Sequence, residues 1–244
     1  MPNDAIHGNG RGDLHRNGGI GTGKGQGAIY GKGSGVQPPV CFLAGTLINT
    51  EHGSKRVEDI KPGDKVHCLK GGLREVKWVG YRHERVQNLP EAAREDFLPI
   101  LVRANALADN VPNRDLRVSP GHHLWAEDYQ VLVRAGDLVN GMTILRDRSI
   151  STISYYHIEL DQFDAILAHN MYSEAYADGG NRDFFQNVNI AALRPIDRER
   201  RTAARPGFNA ARDKALIANI REQYVERAER AAVDKQNSGY RKAA

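Results

Sequence analysis

Cys41-Phe42-Leu43-Ala44-Gly45-Thr46-Leu47-Ile48 begins where a glycine-rich leader ends. A cysteine at such a border points to cleavage chemistry, because its thiolate is a strong nucleophile and the Val40–Cys41 peptide bond lies beside it. Attack by the sulfur on the Val40 carbonyl forms a tetrahedral oxyanion. Collapse to a thioester then requires protonation of the departing nitrogen, a task for an imidazole with a pKa near neutrality. About eighty residues on, Val118-Ser119-Pro120-Gly121-His122-His123 offers the means. His122 is the candidate proton donor, and the Ser119 hydroxyl, in a turn permitted by Pro120 and Gly121, is placed to orient the same amide. Taken singly, these residues have plainer readings. An unpaired cysteine beside Phe42 and Leu43 is usually a small core hydrophobe, and a histidine in a turn is usually hydrogen-bonded. The nine histidines show no compact ligand spacing. No metal and no cofactor are therefore expected.

Upstream, residues 1–37 hold twelve of the 25 glycines and few large apolar side chains. Such a stretch cannot bury enough surface to offset the entropy lost on folding, so residues 1–40 are expected to be a disordered leader. Arg11-Gly12-Asp13 in it reads as a chance tripeptide. Pro38 and Pro39 hold the approach to Cys41 extended.

Downstream, short apolar runs alternate with turn residues, a pattern of many short strands. Strands are expected at Thr46–Asn49, Lys65–Leu69, Glu75–Tyr81, Ile100–Arg103, Asp115–Val118, Gln130–Arg134, Met142–Leu145 and Tyr155–Leu160, with a short helix from Pro90 to Phe97. The expected class is all-β. Cys68 falls in a strand and reads as a buried thiol, and two cysteines are too few for a disulfide scaffold.

Beyond residue 182 the pattern changes. Ile217, Ile220, Tyr224, Ala228 and Ala231 recur at helical spacing, with Asn209 as N-cap and Asn237-Ser238-Gly239 as a stop. Residues 183–244 are thus expected to be a basic, partly helical tail whose stripe docks on the domain or on a protein partner. Residues 182–244 carry 14 basic and eight acidic residues, interleaved, which argues against nucleic acid, because counterion release needs uncompensated positive charge. The start lacks a signal-peptide pattern and no run is long enough to span a bilayer, so a soluble, cytoplasmic protein is expected unless a non-classical route exports it.

Four segments together resemble the Hint domain shared by Hedgehog autoprocessing modules and inteins, in its bacterial single-domain form. They are Cys41–Ile48, Arg56–Val66, Val118–Leu124, and Tyr156-His157-Ile158-Glu159-Leu160 running on to Ala168. The resemblance implies a compact, pseudo-twofold all-β fold over residues 41–182. It also implies an N-to-S acyl shift at Val40–Cys41, with Cys41 as nucleophile and Ser119 and His122 in the family's Thr/Ser and His positions. The leader is then the substrate in cis, and water or a small nucleophile is the acceptor. Phe163 stands where such domains commonly carry a histidine, with Asp161 and Asp164 beside it as the nearest substitutes. His169-Asn170 is followed by Met171 rather than Cys, Ser or Thr, so Asn170 reads as a turn residue and N-terminal cleavage without splicing is expected. The alternative is an inactive Hint-fold binding module acting through the helical tail.

Overall fold

The computed structural model describes residues 40–195, 199 and 201–242, so the leader expected over residues 1–40 lies, except for Val40, outside the described residues. The short apolar runs form strands β1 (Phe42–Leu43), β2 (Leu47–Thr50), β3 (Gly53–Arg56), β4 (Lys65–Cys68), β5 (Gly72–Arg85), β6 (Ile100–Val102) and β7 (Leu116–Val118). They continue with β8 (His123–Ala126), β9 (Val131–Arg134), β10 (Ile144–Arg146), β11 (Thr152–Leu160), β12 (Ala165–Ala168) and β13 (Met171–Glu174). Helices α1 (Glu91–Phe97) and α2 (Lys214–Lys242) accompany them. The all-β expectation for the core holds.

The strands form two antiparallel ladders that share β5. One runs β10-β6-β7-β1-β11-β5 and the other β5-β4-β2-β12-β13-β8-β9, with β3 beside β2. Fourteen residues let β5 serve both. Its first part pairs with β4, Lys65 opposite Glu75, and its remainder pairs with β11, Tyr81 opposite Tyr156. β1, β3, β8, β12 and β13 were not expected from the sequence. All four residues of β8 are buried, which erases the alternation that marks a strand. β12 and β13 meet through a two-residue turn, His169-Asn170, with both residues at positive φ (49° and 61°). A glycine usually announces that turn, and there is none.

Parts of the segment after residue 182 pack on the strands. Phe184 and Phe185 are buried, and Gln186 and Asn187 cap the free edge of β5: Gln186 N–H donates to Tyr81 O at 2.9 Å and Tyr81 N–H donates to Asn187 Oδ1 at 3.1 Å. Ile220, Tyr224 and Ala228 of α2 are buried on the domain. The expected helix boundaries are corrected at both ends. Asp213, not Asn209, is the N-cap, its Oδ1 accepting from Leu216 N–H at 2.8 Å. Asn209 instead lies along β9, its carbonyl accepting from Leu132 N–H at 2.8 Å. At the other end α2 runs through Asn237-Ser238-Gly239, since one glycine costs a helix only about 1 kcal/mol and does not by itself stop it.

The main apolar core includes Phe42, Ile48, Leu116, Leu124 and Ile158, and a second cluster packs Cys41 with Phe97, Tyr155, Tyr176, Phe184 and Phe185. Cys68 is a buried free thiol, as expected. Among the described residues no helix is long and apolar enough to cross a membrane. Phe185 makes edge-on contacts with Trp78, Tyr176 and Phe184 at centroid distances of 5.0, 5.9 and 5.1 Å. Phe185→Ala is therefore expected to lower unfolding free energy by about 3–5 kcal/mol in urea denaturation. A loss under 1 kcal/mol would mean that the segment after residue 182 is not integral.

Candidate active site

β1 is two residues long and lies between β11 and β7, with Phe42 opposite both Tyr156 and Val118. Stepping each register back by one residue sets Cys41 across from His157 on one side and Ser119 on the other. The Ser119 side is closed by a reciprocal pair: Cys41 N–H donates to Ser119 Oγ at 2.7 Å, and Ser119 N–H donates to Cys41 O at 2.9 Å. The first of these involves the nitrogen of the Val40–Cys41 bond.

The turn after β7 delivers His122. Its N–H donates to Ser119 O at 3.1 Å, and its carbonyl accepts from Ala135 N–H at 2.8 Å, which ties the turn to the end of β9. The His122 ring is fully buried against Phe42, at a centroid distance of 4.5 Å, and lies 5.6 Å from the His157 ring. Neither of its ring nitrogens has a hydrogen-bond partner among the described residues, nor does His157 Nδ1. Buried polar atoms without partners are costly, and they are kept where chemistry needs them or where strain is stored. Burial pushes His122 down to about 3, against an opposing pull from Glu174. Burial, then the neighbouring His122, holds His157 well below the usual histidine range. Burial likewise pushes the Cys41 thiol well up, partly countered by Arg82. The expected near-neutral imidazole is thus corrected. At neutral pH the site holds an uncharged imidazole and an uncharged thiol, because both groups are buried away from bulk solvent.

His123 faces the other way. Its Nδ1 lies 2.5 Å from Glu174 Oε1, its N–H donates to the same oxygen at 2.9 Å, and Arg205 Nε donates to Oε2 at 2.8 Å. Burial alone would raise the Glu174 carboxyl, but His123 and Arg205 outweigh it and hold the acid well below its usual range. Sequence reading missed Glu174 and Arg205, which have no motif and meet only through the fold. It also left His157 without a role, although the strand register carries it to Cys41. Phe163 packs on Phe208 at 5.5 Å in a cluster with Trp125, apart from the cluster that holds Cys41. Asp164 is spent on Lys70 N–H, Gly71 N–H, Ala165 N–H and Arg74, so it does not stand in for a catalytic histidine. Asn170 is a turn residue whose Nδ2 donates to Asn110 O at 2.9 Å. Among the described residues no three histidine, cysteine or carboxylate side chains cluster as metal ligands.

Residues 40–180 match the family model of the Hint domain. No curated protein matches the chain in sequence. Similar solved structures include the bacterial intein-like domain from Clostridium thermocellum, at 18% identity and a TM-score of 0.39, covering 57% of this chain and 99% of that one. The MchDnaB-1 intein is 12% identical with a TM-score of 0.38, covering 55% and 99%. A DnaB intein from Synechocystis sp. PCC 6803 is 11% identical with a TM-score of 0.38, covering 55% and 98%.

The depressed histidines tie stability to pH. His122 (about 3), His157 (well below its usual value) and His169 (about 4, lowered by burial and then by Arg114) are all uncharged when folded. The unfolded chain takes up their protons first as pH falls through about 6.5, so their stabilisation is complete above that value and is lost toward pH 4 and below. Urea midpoints should fall between pH 7 and pH 5, by about 2 kcal/mol for each histidine that stays uncharged. The slope should be shallower in His169→Gln, and an unchanged midpoint would show that these rings are not buried neutral.

Proposed function

The chain belongs to the Hint domain family, and from that premise we propose that it processes itself at the Val40–Cys41 bond. The observation that carries this reading is the 2.7 Å hydrogen bond from Cys41 N–H to Ser119 Oγ, since it grips the nitrogen that must leave. In the resting amide that nitrogen's lone pair is delocalised into the carbonyl. An uncharged His122 accepts the Cys41 Sγ proton as the sulfur attacks the Val40 carbonyl carbon. A C–S bond forms and the carbonyl oxygen takes the electron pair. The nitrogen lone pair localises as the carbon turns tetrahedral, and His122 returns the proton to it. The C–N bond then breaks, with its electrons on nitrogen. The product is a thioester on Cys41 with a free α-amine, and no net proton is consumed. Burial keeps the His122 ring uncharged, so a nitrogen lone pair is available to take the thiol proton.

Water or a small nucleophile then releases the leader or transfers it. On this reading residues 41–182 are the processing unit, and residues 183–244 cover it through Phe184, Phe185 and α2. The inactive-module reading draws support from one observation, the complete burial of Cys41, which shields the thiol from any acceptor in solution. The apolar stripe of α2 is already used inward at Ile220, Tyr224 and Ala228, so that reading must rely on the outward face of the helix.

Intact-mass measurement over time distinguishes the two. Wild type with added thiol is expected to yield fragments ending at Val40 and starting at Cys41. Cys41→Ala should give none, and His122→Ala should be slowed by about 10²–10⁴. With an uncharged shuttle the wild-type rate should be nearly flat from pH 5 to 8, a range that lies above the His122 value of about 3. A full-length mass that persists in wild type as in Cys41→Ala would overturn self-processing and leave the binding module.

A further inference from the structure

On the far side of the His122-His123 pair lies a cavity of about 700 Å³ between the end of β9 and the start of α2. Arg134, Arg212, Lys214 and Arg221 line it, together with Arg205 and one carboxylate, Asp137. Arg205 is neutralised by Glu174, at 2.8 Å. Arg134, Arg212, Lys214 and Arg221 make no ion pair or side-chain hydrogen bond among the described residues. Four cations against Asp137 leave an excess of three positive charges facing one concave space. Asp213, the N-cap of α2, is outside the lining, with its Oδ1 accepting from Leu216 N–H at 2.8 Å. Like charges gathered around one concave space without counter-charge repel, and an anion seated there would balance them.

We propose that this cavity binds a small molecule carrying a diphosphate or longer phosphate chain. Three of the four free cations are arginines, whose planar forks match phosphate oxygens two at a time, and the excess charge exceeds what a single carboxylate or monophosphate balances. The positive end of α2 adds to the field at Lys214. The volume lies in the range of small-molecule sites. Ala211, Ile217 and Ala218 supply an apolar wall on which a ring attached to the phosphates would rest. The proposal does not depend on self-processing, since none of these residues touches Cys41.

Calorimetric titration of the full chain with inorganic pyrophosphate and with ADP, at about 0.1 M salt, tests it. Saturable binding with a Kd below about 1 mM is expected, weaker by at least about tenfold in the double variant Arg212→Gln, Arg221→Gln. Both side chains are exposed, so the fold should survive the change. The remote pair Lys77→Gln, Arg148→Gln should bind as wild type does. Absence of saturable heat would overturn the proposal. So would equal weakening in the remote pair, which would reveal only diffuse charge. Inorganic phosphate binding as tightly as pyrophosphate, or an RNA oligonucleotide binding more tightly than either, would also overturn it.

Discussion

The reciprocal hydrogen bonds between Cys41 and Ser119 are the constraint around which the rest of the molecule is arranged. A two-residue strand has too few ladder bonds to hold itself, so β1 is fixed by what flanks it. On one side Ser119 returns both backbone groups of Cys41, one through its N–H and one through its side chain. On the other, β11 brings Tyr155 and Tyr156 against Leu43 and Phe42. β11 is in turn held along its length by β5, which carries the second ladder. The chain entry point is thereby immobilised at the centre of the first ladder rather than frayed at an edge. Strand ends elsewhere usually fray, and this one has no room to do so.

The tandem histidines show how a backbone period of two sorts chemistry. Adjacent side chains point to opposite faces at the entry to β8, so identical residues meet opposite surroundings. His122 enters an apolar pocket with no partner for either nitrogen, whereas His123 enters a network with Glu174 and Arg205. The buried carboxylate is tolerated because two donors on one side and a guanidinium on the other replace the water it lost. Its field still reaches His122 and Cys41, opposing the burial of the former and adding to that of the latter.

Much of the fold was legible because turn residues punctuate the chain. Pro62-Gly63-Asp64 and Gly71-Gly72 bound β4 and start β5, and the period-two burial of β4 and β11 shows in their sequences. β8 and β12 were not, since nearly continuous burial leaves no alternation, and β13 was hidden by a turn made with His169-Asn170 instead of a glycine. Cys41, Ser119 and His122 could be picked as candidates in the sequence because a cysteine follows the glycine-rich leader and a serine and histidine share one turn. Their protonation states could not, since burial is a property of the packed molecule. The Glu174–Arg205 pair was illegible for the same reason: the two residues lie far apart in sequence and share no pattern.

Arg205, Phe184 and Phe185 complete surroundings whose first member, Cys41, emerges from the ribosome long before them. Until the later residues arrive, Glu174 lacks its guanidinium and the aromatic cluster over Cys41 lacks two of its rings. The buried environment that sets the charge state of the thiol and of His122 is therefore completed only after Arg205 has been made. Synthesis order governs when the surroundings of the first strand are complete, since they wait on a segment that precedes α2.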